Sequence, residues 1–152
     1  MNTPALSFQN IVKSYEKKTV LKGLSLTINR GESFGLVGMN GAGKTTLLKC
    51  LLDFCAVDAG TIEIFGVSNR LTEARKPLAF LPERFMPPYY LTGKDFLKYM
   101  LKLQAIPYQQ SAAEIALLEL KQESTALNRS VRSYSKGMTQ KLGLAACKKK
   151  KK

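Results

Sequence analysis

The sequence predicts an α/β fold, and three observations carry that expectation. Before residue 92, short stretches alternate apolar and polar residues or run wholly apolar, as strands do. Within that region an apolar run, "SFGLVG", closes on a glycine-rich loop that opens a stretch with leucines at helical spacing. After residue 92 the apolar period becomes helical.

"LSFQNIVKSY" and "LSLTI" have strand character, with Leu24, Leu26 and Ile28 alternating with polar residues. "SFGLVG", residues 33–38, reads as a buried strand feeding a loop. "KTTLLKCLLDF" reads as a helix, "TIEIFG" as an alternating strand, and "PLAFLPE" as a short strand stopped by Pro82. In "LTGKDFLKYMLKLQ", Phe96, Met100 and Leu103 stand at i, i+4 and i+7, with Thr92 as the cap. "SAAEIALLELKQ" opens with Ser111 and Glu114 at capping-box spacing. The expected organisation is a strand-rich α/β core over residues 1–91, a helical subdomain over 92–147, and a lysine run over 148–152.

The 152 residues suffice for a compact core, and the 45% apolar content is that of a globular protein. No window approaches the roughly 18 apolar residues of a membrane span. The start, "MNTPALSFQN", lacks a basic segment followed by an apolar one, so a cytosolic chain is expected. Cys50, Cys55 and Cys147 form no C-x-x-C pair and the chain has no histidine, so no metal cluster is read and the thiols are taken as incidental. Net charge is +13; five of the 24 basic residues stand in the terminal run, and the other 19 against 11 acidic residues leave +8. A basic balance suits nucleotides, nucleic acid or anionic lipid without choosing among them.

The most informative stretch is "GMNGAGKTT", residues 38–46. Gly38, Gly43, Lys44 and Thr45 occupy the fixed positions of G-x-x-x-x-G-K-[ST], with Met39, Asn40, Gly41 and Ala42 between them and Thr46 following. A polyphosphate is wrapped by backbone N–H groups, and side chains would hold the loop away from it. The helix the loop opens adds N-terminal N–H groups and a favourable dipole. In this reading Lys44 reaches the β- and γ-phosphates and the Thr45 hydroxyl binds Mg²⁺.

Two longer stretches carry a family resemblance. "NIVKSYEKKTVLKGLSLTINRGESFGLVGMNGAGKTTLLKCLLDFCAVDAGTIEIFG" resembles the opening of an ATP-binding cassette (ABC) transporter ATPase, and "VRSYSKGMTQKLGLAA" resembles that family's signature motif and its helix. The resemblance covers residues 5 to about 147, and "FLPER" and "YSKGM" look most like bacterial subunits of multidrug, antibiotic or gliding-type exporters. It implies a P-loop NTPase core with an N-terminal antiparallel β part and a helical subdomain, without the family's C-terminal strands.

The resemblance also implies roles. Tyr15 falls where the family stacks an aromatic on adenine, although a tyrosine there can also simply pack. Glu83 falls where many relatives have a glutamine near Mg²⁺ and the attacking water; it implies a catalytic and metal-side role beside Lys44 and Thr45, the alternative being an ordinary surface acid. Ser135, Lys136, Gly137 and Met138 replace the commoner L-S-G-G-Q pattern and imply contact with the γ-phosphate held by a second ATP-binding subunit. "RFMPPYYLTG" either faces a membrane partner or packs internally. The implied ligands are ATP and Mg²⁺. The implied partners are a second ATP-binding subunit and a transmembrane transporter subunit, which puts the chain at the inner face of the cell membrane.

The family's Asp-Glu-ending strand and its histidine do not follow the signature helix in these 152 residues, where the sequence reads "CKKKKK". The expectation is a chain cut after the signature motif, with slow hydrolysis on its own and a solvated, disordered lysine run. The alternatives are a non-catalytic nucleotide-binding module that pairs with an intact subunit, and a basic tail with a use of its own. A GTPase-like switch is not supported, since no N-K-x-D stretch is present, and nucleic acid is not an expected partner.

Overall fold

The computed structural model describes residues 3–147. They form two compact units, one ending at Leu78 and one beginning at Ala79.

The first unit is built on an antiparallel sheet. Strands β1 (Leu6–Tyr15) and β2 (Lys18–Ile28) form a hairpin, closed by the Tyr15–Lys18 pair around Glu16 and Lys17. β3 (Ala59–Ile64) adds to the other edge of β1, and the short β4 (Val67–Ser68) follows, giving the order β2-β1-β3-β4. Alternation works as expected: Ile62 and Ile64 are buried, and Leu24, Leu26 and Ile28 are half-buried between exposed polar neighbours. A bulge at Asn10–Ile11 interrupts the β1–β3 ladder opposite Gly60. A Cβ on Gly60 would stand 2.4 Å from the Gln9 carbonyl oxygen, so only glycine fits. Helix α1 (Lys44–Leu51) lays Leu47, Cys50 and Leu51 into a core with Phe8, Ile11, Leu21, Ile62 and Ile64, and α2 (Thr72–Arg75) adds Ala74.

Two expected strands are not formed. Residues 33–38 carry no strand pairing among the described residues, and Phe34 and Val37 are 45% and 93% exposed. A wholly apolar strand is stable when neighbours satisfy its backbone on both edges, and the strands of this sheet pair with one another instead. Residues 77–83 are likewise irregular. Pro77 and Pro82 each remove a ladder donor from that stretch.

The second unit is helical, with α3 (Gly93–Leu103), α4 (Gln110–Glu119) and α5 (Lys136–Cys147) joined through 3₁₀ turns at Ser124–Asn128 and Val131–Ser133. Phe96, Leu97, Leu117, Leu127, Val131, Leu142 and Ala146 make its core. Phe85 and Leu91 pack against it, Phe85 edge-on to Phe96 at 5.7 Å, so this unit takes in residues ahead of the change of period at 92.

Thr92 caps α3 as expected, its hydroxyl oxygen accepting from the Asp95 N–H at 3.1 Å. The buried stripe of α3 runs Gly93, Phe96, Leu97 and on to the half-buried Met100, while Leu103 is 65% exposed. Leu103 lies at the margin of that stripe; Gln104 follows its centre, its amide donating to the Ala146 carbonyl at 3.4 Å. The expected capping box on α4 does not form. Gln109 is the cap residue, Ser111 lies inside the first turn, and Glu114 accepts instead from Gln110 Nε2 at 2.7 Å. Gln110, tied also to the Tyr108 hydroxyl at 2.8 Å, starts the helix ahead of Ser111. The expected lysine tail, residues 148–152, lies outside the described residues.

Candidate functional site: a glycine loop at a helix start and a capped signature helix

In the first unit, residues 38–42 form an exposed loop that turns through the buried Gly43 into α1, whose first residues are 44–46. Two glycines take backbone that other residues avoid, Gly41 at φ +83° and Gly43 at φ +92°. Gly43 is also hemmed in: a Cβ there would stand 2.9 Å from Leu21 Cδ2 and 3.1 Å from Val20 Cγ1. Thus the β1–β2 hairpin supports the loop from beneath, and glycine lets it approach. The Gly43 carbonyl accepts the first helical bond, from the Leu47 N–H at 2.8 Å. The Lys44 ammonium folds back over the loop and donates to the carbonyls of Gly38 and Met39 at 2.6 and 2.8 Å. An ammonium has three donors, so two hold the loop's curvature and one remains for a ligand. No acid stands in the first turn of α1, which leaves the positive end of its dipole uncompensated. Thr45 is exposed and Thr46 half-buried at that end. This donor set fits a polyphosphate with its divalent cation: backbone amides, one ammonium and a hydroxyl, with no acid in the first turn of α1.

Tyr15, at the end of β1, is 45% exposed, which leaves ring surface open to a flat ligand. Its hydroxyl donates to Cys55 Sγ at 3.7 Å, and this bond is the main reason its phenol titrates above the ordinary range. The Thr46 hydroxyl acts on the same phenol in the opposite sense. Asp58 fixes this end of β1. Its carboxylate accepts from Lys13 Nζ at 2.8 Å and the Ser14 N–H at 2.6 Å, and the Lys13 bond is the leading cause of its lowered pKa. Lys13 is raised in turn, and its ammonium stands 5.6 Å from the centre of the Tyr15 ring. Asn69, 6% exposed, ties down the other end of α1, its side-chain amide donating to the Cys50 and Leu51 carbonyls at 2.7 and 3.2 Å. Neither Asp58 nor Asn69 stands out in the sequence; each belongs to the site through a contact distant along the chain.

In the second unit, Ser135 precedes α5 and caps it, its hydroxyl oxygen accepting from the Met138 N–H at 3.2 Å. Lys136 and Gly137 are exposed in the first turn, and a Cβ on Gly137 would meet only Ser135 Oγ, at 4.0 Å. Glu83 is exposed, and its carbonyl accepts from Gln140 Nε2 at 3.1 Å. Glu83, Arg84, Met86, Tyr89, Arg132 and Lys136 are among the residues lining one groove of about 650 Å³. "RFMPPYYLTG" divides: Phe85, Pro87 and Leu91 pack inward, whereas Met86, Tyr89 and Tyr90 are 85%, 66% and 74% exposed.

Comparison with known proteins agrees with this geometry. The family model for "ABC transporter" matches residues 21–152. An uncharacterized ABC transporter ATP-binding protein of Synechocystis is 39% identical over 86% of this chain and 38% of its own length. The Nod factor export ATP-binding protein I of Burkholderia thailandensis is 34% identical over 95% of this chain and 49% of its own. A solved ABC transporter ATP-binding subunit superposes with a TM-score of 0.79 at 26% identity, covering 94% of this chain and 61% of the other. The chain thus spans less than half the length of these curated relatives. The matched region holds both the glycine loop and α5, and the chain belongs to the ABC transporter ATP-binding family.

Proposed function

We propose that the chain binds MgATP through residues 38–46 and Tyr15, and that it serves as an ATP-binding subunit coupling nucleotide to transport through a membrane partner. The observation that carries this reading is the loop itself: Gly41 and Gly43 at positive φ, and Lys44 held across the loop by two of its own carbonyls beside an acid-free helix start. In this reading the loop amides and Lys44 hold the β- and γ-phosphates, and Thr45 takes the cation side. Tyr15 supports the adenine, and Lys13 and Asp58 keep the strand end beneath it in place. Mg²⁺ on the Thr45 side would supply neutralisation of the phosphate charge.

Ser135, Lys136, Gly137 and Met138 then face the nucleotide of a second subunit. Support comes from the exposed first turn of α5, whose Ser135 cap and bare Gly137 leave N–H groups open to an anion. Glu83 stands for the metal-side and water-side residue, on the same groove as Lys136. The exposed Met86 and Tyr89, which line that groove, and the exposed Tyr90 next to them in sequence suit a partner's apolar surface, and we assign the transmembrane subunit's contact to them, which sets the chain at the membrane's inner face. No described helix is long and apolar enough to cross a membrane itself. Relatives named for Nod factor export support an export role.

These 152 residues contain no histidine and no Asp-Glu pair, so turnover by this chain alone is expected to be slow. Thermal unfolding with added nucleotide tests the reading, because a ligand of the native state raises the midpoint with its concentration. ATP and ADP should raise it and AMP should not; equal shifts from all three would refute phosphate-chain recognition. A non-catalytic role in trans is the second reading, favoured by the same open α5 start: mixing with an intact subunit should raise that subunit's ATPase rate, and Gly137→Asp should abolish the gain.

A further inference from the structure

The cysteines read in sequence as incidental thiols, but the fold brings two of them together. Cys50, on the buried face of α1, is 1% exposed; Cys55, in the loop after α1, is half-buried, and their sulfurs lie 3.5 Å apart. The turn between them is held by backbone bonds, Asp53 N–H to the Cys50 carbonyl at 3.1 Å and Phe54 N–H to the Lys49 carbonyl at 2.9 Å, with Asp53 at φ +61°. The pair is therefore set by the fold. A disulfide needs sulfurs about 2 Å apart, so closure asks for a shift of roughly 1.5 Å, within reach of side-chain rotation in a loop. The same Cys55 sulfur accepts the Tyr15 hydroxyl. Cys147 belongs to the other unit and lies against the Phe80 carbonyl.

We propose that Cys50 and Cys55 form an oxidisable dithiol, closed to a disulfide by a hydroperoxide, and that closure takes the Cys55 sulfur from its place against Tyr15. Cys55, the more accessible sulfur, attacks the peroxide as its thiolate. The O–O bond breaks, hydroxide leaves and is protonated to water, and Cys55 becomes a sulfenic acid. Cys50 then gives up its proton and attacks the Cys55 sulfur; the S–O bond breaks and a second water departs. In total two thiols lose two hydrogens and one hydrogen peroxide becomes two waters. Burial, chiefly, pushes the Cys50 thiol up to about 12, so the closure step, which needs the Cys50 thiolate, quickens as pH rises. Cys50 stays on its helix while Cys55 moves, and the support under Tyr15 changes. The effect on nucleotide rests on the function proposed above; the thiol chemistry does not.

Cleavage after Lys49 and Arg70 places both cysteines on one peptide, CLLDFCAVDAGTIEIFGVSNR. The full chain is treated with hydrogen peroxide, quenched, denatured, alkylated, digested and weighed. The expected result is that peptide, unalkylated and lighter by two hydrogens, restored by dithiothreitol and absent in Cys55→Ser, with Cys147 still alkylated. Full alkylation of both cysteines, irreversible oxidation of Cys55 without closure, or a bond to Cys147 would each overturn the proposal. MgATP affinity should fall several-fold on oxidation and return on reduction. Unchanged affinity in fully oxidised protein overturns the link to Tyr15, whereas failure of the reduced protein to bind MgATP would count against the nucleotide reading instead.

Discussion

Replacing Gly43 with alanine separates two demands that the loop makes on one residue. The backbone there has φ +92°, and forcing a non-glycine residue into such a conformation costs on the order of 1–3 kcal/mol. The added Cβ would also stand 2.9 Å from Leu21 Cδ2 and 3.3 Å from the Val20 carbonyl. Leu21 is only 4% exposed, so it cannot swing into solvent, and crowding a packed site costs a further ~1–3 kcal/mol. Gly41→Ala is the control: φ is +83°, but nothing lies within 4 Å of its Cβ. It should carry the strain alone, about 1–2 kcal/mol. Urea unfolding followed by far-UV circular dichroism, with equal slopes, gives the comparison. Gly43→Ala should be the less stable by at least ~1 kcal/mol. Equal losses in the two variants would refute the claim that the β1–β2 hairpin supports the loop.

Further outcomes follow from the same contacts. If Tyr15 supports adenine, Tyr15→Ala should lose about 1–3 kcal/mol of MgATP affinity in titration, the size of a base–aromatic stack, whereas Tyr15→Phe keeps the ring, loses its bond to Cys55 and should lose no more affinity than oxidation of the dithiol does. The folded Asp58 titrates below its ordinary value near 3.8, so it binds fewer protons than in the unfolded chain; the stability it contributes is full above that value and is lost as pH falls through the lowered one. Asp58→Asn should therefore lose less of its urea midpoint than the parent between pH 5 and pH 3. At the α5 start two small changes should act with opposite sign. Ser135→Ala removes a cap worth ~1 kcal/mol. Gly137→Ala places a methyl in open space and should gain up to about 1 kcal/mol in thermal unfolding.

Much of this was legible in the sequence where the signal is local. The glycine loop at 38–46, the hairpin strands, β3 and the Thr92 cap follow from spacing and residue type alone. The failures share a cause. A strand at 33–38 depends on neighbours that an apolar run cannot specify, and its side chains stand exposed where none pair with it. Ser111 and Glu114 have capping-box spacing, but Gln110 competes for Glu114 and moves the helix start. Leu103 has the right period and lies beyond the packed stripe. Asp58, Asn69 and the Cys50–Cys55 pair acquire meaning only through contacts the fold makes, the first two reaching 44 and 19 residues along the chain.

The central claim is that this loop binds the phosphates of ATP through Lys44. Titrating the folded chain with MgATP, beside Lys44→Ala of unchanged circular dichroism, tests it most directly. Saturable binding that weakens about tenfold or more in the variant, a loss of roughly 1.4 kcal/mol or more, is the result expected. Equal affinity in the two proteins, or no MgATP binding by the folded parent, would contradict it.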